Sequence, residues 1–227
     1  MNVLVVAAHP DDEILGCGAT LARHAVEGDR VRAFILAEGA MAREEIGNAS
    51  IGAADTEALR SSARAAAEKI GAEPPRFEGL SDNRLDRFDR LDIIKCVEAA
   101  VAEFEPAVVY THFGDDLNID HRITCEAVLT ACRPLPEATV RAIYAFETAS
   151  STEWALASPS AGFQPTHFVD VTAYLQHKIA ALACYDTEIR SFPHARSIAA
   201  IEALARWRGA SIGREAAEAF MLLREVR

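Results

Sequence analysis

The sequence lacks the features that mark a membrane or secreted protein. It has no apolar run approaching the roughly 20 residues that cross a bilayer. Its first residues, MNVLVVAAHPDDE, have neither the basic flank nor the small-residue cleavage site of a signal peptide. The five cysteines are a scattered, odd set without a Cys-x-x-Cys pair, which indicates free thiols in a reducing compartment. We therefore expect a cytoplasmic protein without a transmembrane segment.

Basic residues are too few for a protein that binds nucleic acid. The chain has 23 Lys and Arg against 34 Asp and Glu, and its formal net charge is −11. An acidic surface of this kind repels phosphate backbones, so we expect no nucleic-acid partner. The length of 227 residues, half of them hydrophobic, fits one domain over residues 1–227.

Short apolar segments alternate with amphipathic segments along the whole chain. This alternation predicts an α/β fold, a Rossmann-like three-layer sandwich with a mostly parallel central sheet. Loops are expected from 39 to about 50 and around 158–162. We predict strands at 3–7, 30–39, 75–80, 107–113, 140–147, 166–172 and 218–226, and helices at 14–29, 56–71, 90–106, 120–133, 173–188 and 197–208.

Polar residues follow five of the predicted strands. Ligands of open parallel sheets bind outside the carboxyl ends of the strands, so these residues form the candidate site. In chain order they are His9, Asp11, Asp12 and Glu13; Glu38; Asp82, Asn83 and Arg84; residues 112–121; and Glu147.

The first polar cluster, AHPDDE, places an imidazole, a proline and three carboxylates at a strand end. Pro10 biases His9 toward an extended conformation. A helix needs only one acidic cap, so Asp11 and Asp12 beside His9 indicate a bound cation. Glu13 is explained equally well as an acidic residue of the first helical turn.

The second cluster, THFGDDLNIDHR, contains two histidines and three aspartates and precedes a predicted helix. Two imidazoles and one aspartate from separate strand ends would leave a coordination position open for water, as in catalytic zinc sites. Zinc lowers the pKa of bound water to roughly 7. Whichever of Asp11 and Asp12 is not a ligand could accept the proton of that water.

Four segments in this order, AHPDDE, GCGATLARHA, LSDNRLD and THFGDDLNIDHR, resemble the PIG-L/LmbE-like family of zinc-dependent N-acetylglucosaminyl deacetylases. The similarity continues in CYDTEIRSFPHARS and RGASIGREAAEAF. It implies that His9, Asp12 and His121 bind the metal, that Asp11 is the general base and that Asp120 orients neighbouring groups. It also implies hydrolysis of a small-molecule acylated amino sugar or sugar conjugate. Zn2+ is the expected ion, although Fe2+ would suit the same ligands.

One position departs from the family pattern. Many members have a histidine three residues before the last ligand, where this chain has Asn118. An amide can donate a hydrogen bond to an oxyanion but cannot deliver a proton. Protonation of the leaving amine then falls to Asp11, His194 or His112.

Substrate contacts are expected from residues near the same sheet edge. Asp82, Asn83 and Arg84 could bind sugar hydroxyls, and Arg60 and His112 are further candidates. Neither tryptophan receives a role from the sequence.

Two other functions remain open at this stage. Asp115, Asp116 and Asp120 would suit the second ion of a metal-dependent phosphoester hydrolase. The replacement at Asn118 would also suit a metal-binding family member without activity. The oligomeric state is not predicted.

Overall fold

The computed structural model describes residues 1–38, 53–155 and 162–227, so the loops expected at 39–50 and 158–161 lie outside the described residues. The strands are β1 Asn2–Ala7, β2 Arg30–Glu38, β3 Arg76–Ser81, β4 Val108–His112, β5 Ala142–Phe146, β6 His167–Asp170 and β7 Ala217–Glu225. The helices are α1 Asp12–Val26, α2 Ala53–Ile70, α3 Arg90–Phe104, α4 Ile119–Ala131, α5 Leu175–Leu182 and α6 Ile198–Ala210.

The seven strands form one sheet in the order β3-β2-β1-β4-β5-β7-β6. The first five pair in parallel, whereas β7 runs antiparallel to both β5 and β6. The predicted α/β fold with a mostly parallel sheet is confirmed. Strand order reverses beside β1, which has β2 on one side and β4 on the other, and such a reversal opens a crevice at the carboxyl ends.

Both faces of β1 are buried, as its uninterrupted apolar sequence indicates. Val3 and Val5 pack with α1, α2 and α5 on one face of the sheet. Leu4 and Val6 pack with α3 and α4 on the other face. The sheet is therefore the middle layer of three, and the loop after β1 is held at its centre.

Two expectations about the class of protein can be compared with the structure. All five cysteines are free, in agreement with the sequence. Among the described residues, no helix has the length and apolar character needed to span a membrane.

Helix α5 is shorter than the predicted helix at 173–188. It ends at Leu182, and the chain then turns through the segment that contains Tyr185. This side chain is only 1% exposed, and its hydroxyl donates a hydrogen bond to the Glu13 carboxylate. A tertiary contact with α1 therefore replaces the last helical turn that local sequence favours.

Helix α1 has a kink at Cys17, where the backbone leaves helical geometry. At the kink, main-chain carbonyl and amide groups lose their helical hydrogen-bond partners, and a buried ion pair forms hydrogen bonds with them instead. Lys178 Nζ donates to the carbonyl of Leu15 at 2.7 Å, and the Glu218 carboxylate accepts from the amides of residues 19 and 20. The two side chains also contact each other at 2.6 Å. Elements from the end of the chain thus fix the direction of the first turn of α1.

Gly16 lies against a core aromatic ring, and Gly16→Ala is expected to destabilise the protein. A Cβ at this position would lie 2.2 Å from the ring of Phe146, which is fully buried and cannot move away. Overpacking of this kind costs about 1–3 kcal/mol. Gly114→Ala is the control, because its Cβ would meet only Cys125 Sγ, at an ordinary 3.5 Å. Thermal unfolding should show a lower Tm for the first variant only; equal melting temperatures would contradict the packing argument.

Candidate active site

The residues of the two sequence clusters meet in one pocket of about 530 Å³ at the carboxyl edge of the sheet. The loop after β1 forms its floor, and the exits of β3, β4 and β5 form part of its walls. A second wall comes from the segment before α6. The lining residues are His9, Pro10, Asp11, Leu59, Asp82, Asn83, Asn118, Ser150, Trp154, Glu188, Arg190, His194 and Arg196.

His9, Asp12 and His121 converge below this pocket. Each offers one ligand atom, and the three atoms lie within 4.8 Å of one another. Asp12 Oδ2 lies 3.1 Å from His9 Nδ1 and 3.3 Å from His121 Nε2. Asp12 and His121 are almost fully buried, whereas His9 borders the pocket.

Two atoms of this group fit a bound cation. Asp12 Oδ1 and His121 Nε2 are buried, and neither has a hydrogen-bond partner. Buried polar atoms are rarely left unpaired, and a bound ion is one recognised explanation. Two imidazole nitrogens and a carboxylate oxygen are a donor set for Zn2+ or Fe2+. The cluster therefore has the chemistry of a divalent-metal site.

Asp116 orients His121 from behind. Its Oδ1 lies 3.0 Å from His121 Nδ1, and both of its carboxylate oxygens accept hydroxyl hydrogen bonds, from Ser151 and Thr152. Burial would raise the pKa of Asp116, but the hydrogen bonds and the His121 charge lower it to about 2. An ionised Asp116 accepting the Nδ1 proton leaves the Nε2 lone pair for an ion.

His9 faces carboxylates on both ring nitrogens. Nδ1 faces Asp12, whereas Nε2 lies 3.1 Å from Asp120 Oδ2 and 3.3 Å from Asp82 Oδ1. Burial lowers the pKa of His9, but these carboxylates outweigh it and raise the pKa to about 10. The site thus attracts positive charge.

His9, Asp82 and Asp120 form a second group that could hold an ion. Both groups contain His9. A neutral imidazole binds an ion through one nitrogen and donates a proton from the other, so His9 can be a ligand in only one of the two groups at a time. If Nδ1 binds the ion, Nε2–H donates to Asp120. The unpaired atoms of Asp12 and His121 favour this arrangement.

His112 is not among the lining residues of the pocket, so the described geometry gives no support to its expected contact with substrate. The side chain is fully buried and stacks on His121 with ring centroids 3.9 Å apart. Its Nε2 accepts the Ala8 amide at 2.9 Å, so that lone pair is occupied. Burial and the neighbouring His121 charge lower the pKa of His112, which keeps the ring neutral. His112 therefore packs behind His121 and cannot protonate a leaving group.

Asp11 occupies a strained position at the start of α1. Its φ is 100°, in the left-handed region that few non-glycine residues adopt. The carboxylate lines the pocket, and Oδ2 lies 2.7 Å from Arg196 Nη1. Burial raises the pKa of Asp11 well above its usual value despite the opposing Arg196 charge. A carboxylate in this setting is a stronger base than an exposed one.

Glu13 holds the Asp11 backbone in that conformation. Its Oε2 accepts the Asp11 amide at 3.0 Å, and its Oε1 accepts the Tyr185 hydroxyl at 2.5 Å. Burial raises the pKa of Glu13 to about 7, although the Tyr185 hydrogen bond opposes the shift. The sequence explained Glu13 equally well as part of the polar cluster or as an acidic residue of the first helical turn. In the structure, Glu13 forms a specific hydrogen bond with the backbone of Asp11.

Tyr185→Phe is expected to lower kcat several-fold while leaving the fold intact, because it removes the hydroxyl that fixes Glu13 and, through it, Asp11. Tyr110→Phe is a matched control: Tyr110 is equally buried, and its hydroxyl contacts His24 rather than a pocket residue. Steady-state kinetics of both variants give the comparison. Equal losses of kcat would show that Tyr185 contributes only general stability.

Asn118 caps α4 and borders the pocket. Its Oδ1 accepts the amide of Asp120 at 2.8 Å, and its Nδ2 donates to Asn83 Oδ1 at 3.1 Å. These bonds fix the orientation of the amide. One Nδ2 proton is used by Asn83, which leaves the other for a ligand in the pocket.

His194 also lines the pocket, on the wall formed by the segment before α6. Its Nδ1 accepts the Arg196 amide at 3.1 Å. That nitrogen is therefore unprotonated, and the proton of the neutral ring is on Nε2. His194 is thus arranged as a hydrogen-bond donor.

Two expected substrate contacts are not at the pocket wall. Arg60 forms a two-pronged ion pair with Glu38, at 2.5 and 2.9 Å, and its neighbour Leu59 lines the pocket instead. Arg84 precedes a short 3-10 helix and is not a lining residue. Asp82 and Asn83 do line the pocket, Asp82 being buried and Asn83 exposed.

Three residues beside the site occupy roles that their sequence positions did not predict. Asp116 was considered only as a ligand of a second ion, yet its oxygens are occupied by His121, Ser151 and Thr152. Arg196 lies two residues after His194, in the segment CYDTEIRSFPHARS. No motif or residue spacing in that segment indicates that this arginine contacts the site. Tyr185 belongs to a segment that reads locally as helix.

The fold and the imidazole–carboxylate cluster define an α/β protein with a candidate metal centre. The family model described as PIG-L, GlcNAc-PI de-N-acetylase, matches residues 4–132, more than half of the chain. The chain belongs to this family, whose model is described as that of a de-N-acetylase.

Curated relatives of this chain are described as deacetylases, and solved structures share its fold. The uncharacterized deacetylase YaiS of Escherichia coli K12 is 29% identical over 80% of this chain and 88% of its own length. The 1D-myo-inositol 2-acetamido-2-deoxy-alpha-D-glucopyranoside deacetylase of Mycolicibacterium vanbaalenii is 27% identical, covering 87% of this chain and 84% of its own. The zinc-inhibited form of teicoplanin deacetylase Orf2 has the same fold, with a TM-score of 0.73, 17% identity and 99% of both chains covered.

Proposed function

We propose that this enzyme is a zinc-dependent hydrolase that removes the N-acetyl group of an amino sugar or its conjugate. The observation that supports the proposal is that Asp11 lines the pocket and precedes Asp12 of the cation-binding group, our name for His9, Asp12 and His121, in which two buried atoms have no hydrogen-bond partner. The names of the curated relatives supply the substrate class, since one of them deacetylates an N-acetylglucosamine conjugate of inositol.

His9, Asp12 and His121 would hold the ion. Bound there, Zn2+ would supply a Lewis acid and ionise water near neutral pH. Asp116 and Asp120 would orient the two imidazoles by accepting their remaining N–H protons at 3.0 and 3.1 Å. Fe2+ suits the same donors.

Asp11 would act as the general base. The attacking water gives its proton to Asp11 as its oxygen bonds to the amide carbon. Arg196 contacts Oδ2, and Oδ1 has no hydrogen-bond partner among the described residues, so Oδ1 is available to the water. A dication in the adjacent cluster would lower the pKa that burial raises, keeping Asp11 ionised at neutral pH.

Asp11 is also the best candidate to protonate the leaving amine. A neutral His194 with its proton on Nε2 would become an unstable imidazolate if it gave that proton away. His194 instead suits hydrogen bonding to the developing oxyanion, together with the free Nδ2 proton of Asn118. Asp11 then returns the proton taken from water to the nitrogen, the C–N bond breaks, and acetic acid and a primary amine are formed, which leave as acetate and an ammonium ion after the acid gives its proton to the amine.

Asp82 and Asn83 line the pocket beside the cation-binding group and are the candidates for contacts with sugar hydroxyls. Their carboxylate and amide oxygens accept hydrogen bonds, and Asn83 also donates them. Both lie on the loop after β3, which the structure brings next to Asn118.

The phosphoester hydrolase remains an alternative on one observation, the second group formed by His9, Asp82 and Asp120. It shares His9 with the first group, which disfavours two ions bound at once. Of the other carboxylates considered, Asp116 is occupied by hydrogen bonds and Asp115 is exposed. A two-ion centre therefore has little support.

Metal analysis combined with a product assay tests the proposal. Purified enzyme is analysed for metal per chain, then incubated with N-acetylglucosaminides while primary amine and acetate are measured. About one zinc per chain with equal amounts of amine and acetate supports the deacetylase. Two ions with release of phosphate from phosphoesters would support the alternative, and bound metal without turnover of any N-acetyl sugar would indicate an inactive member.

A further inference from the structure

The chain has two tryptophans, and only one of them lies at the active-site pocket. Trp154 is 53% exposed and lines the pocket. Trp207 is 70% exposed on α6 and is not a lining residue. Trp154 is the only indole or phenyl ring among the described lining residues, whose other members are mostly polar or charged. A large apolar surface left open in such a pocket is a binding surface for the apolar face of a ligand.

The orientation of the Trp154 ring is fixed by His194. The two rings meet almost perpendicularly, with an interplanar angle of 81° and centroids 5.8 Å apart. Both side chains line the same pocket. A ligand that packs on the indole therefore lies close to the His194 side chain.

The position of Trp154 is coupled to the cation-binding group through Asp116. Trp154 ends a short 3-10 helix that starts at Thr152. The Thr152 hydroxyl donates to Asp116 Oδ2 at 2.6 Å, while Asp116 Oδ1 faces His121 Nδ1 at 3.0 Å. One carboxylate thus holds both the loop that carries the indole and a candidate metal ligand. This shared anchor sets the distance between the apolar surface and the reaction centre.

We propose that Trp154 is the platform on which the pyranose ring of the substrate packs, so that its N-acyl group lies at the cation-binding group. One face of a pyranose presents C–H groups, which pack on an indole, while the hydroxyls at its edge point to polar side chains. The proposal rests on the proposed function and narrows its substrate class. The substrate is a cyclic amino sugar, and acyclic N-acetyl amines gain nothing from Trp154.

Kinetics of Trp154→Ala test this platform, with Trp207→Ala as the matched control. For an N-acetylglucosaminide, Trp154→Ala is expected to raise KM roughly tenfold to a hundredfold, the loss of one stacking surface. Trp207→Ala should leave KM for the same substrate unchanged, because Trp207 is not a lining residue of the pocket. Trp154→Phe should restore part of the affinity. Circular dichroism and melting curves confirm that each variant is folded.

Fluorescence provides a binding readout that does not need turnover. In Trp207→Phe holoenzyme, Trp154 is the sole indole, and titration with glucosamine or N-acetylglucosamine should change its emission. In Trp154→Phe, the remaining Trp207 should not respond. An unchanged KM in folded Trp154→Ala, or no response of Trp154 to sugar, overturns the platform. If wild-type enzyme releases no amine from any N-acetyl compound, the proposed function fails, whereas sugar-dependent quenching would still support the platform.

Discussion

An Asp11→Asn enzyme is expected to retain its metal and to lose kcat by about 10²- to 10⁴-fold, the usual contribution of a general base. Asparagine has nearly the same volume, and its oxygen can still accept from Arg196, which contacts Asp11 at 2.7 Å. It cannot take a proton from water. The ligand atoms of His9, Asp12 and His121 are not altered by the change.

Metal content and kcat are measured on the same preparation of the Asp11 variant. Asp115→Asn is the matched control, since Asp115 is an exposed aspartate after β4 and not a pocket residue. It should keep both metal and activity. Loss of metal from Asp11→Asn would make Asp11 a ligand instead of the base, and full activity in that variant would remove it from the mechanism.

His121→Ala is expected to lose the metal and, with it, nearly all activity. Changes to residues that merely orient a ligand already lower metal affinity about 10- to 100-fold. Removal of the ligand itself should exceed this loss. The variant also leaves Asp12 and Asp116 buried without the imidazole that lies 3.3 and 3.0 Å from them, so stability should fall as well. Metal per chain after gel filtration and the Tm are the measurements.

His24→Ala controls for the removal of an imidazole elsewhere. His24 is half-buried on α1, where it contacts Asp29 and Tyr110 outside the pocket. This variant should retain metal. If His121→Ala remained fully loaded, the ion would belong to the second group, and Asp82→Asn would then be the variant that loses it.

Most strands and helices could be predicted from the sequence because the pattern of apolar residues within each segment determines its secondary structure. β1 is a continuous apolar run, and every strand and helix expected within the described residues is present, most with shifts of one to three residues. The prediction failed at the end of α5, where burial of Tyr185 against Glu13 overrides helical propensity. No local pattern records that contact.

The candidate ligands could be predicted because they lie directly after strands whose ends meet at one edge. His9 and Asp12 follow β1, and His121 follows β4. The family resemblance singled out His121, but position alone did not separate it from His112, because both lie near the same strand. What separates them is a main-chain hydrogen bond: the Ala8 amide occupies the His112 lone pair, whereas His121 Nε2 has no partner.

Residues that act through other residues were the hardest to predict. Arg196 reaches Asp11 across 185 positions of sequence, and Thr152 reaches Asp116 across 36. Such contacts depend on how loops pack above the sheet. Such contacts can be identified only from the three-dimensional structure.

The ion pair at the kink of α1 has a consequence for how the protein is made. A ribosome completes His9, Asp12 and His121 well before it reaches Lys178 and Glu218, whose side chains hold the two halves of that helix together. During synthesis the nascent chain thus carries its candidate ligands before it can lock the turn that presents them. The ion pair that holds the kink of α1 can therefore form only after the last strand of the sheet has been synthesised.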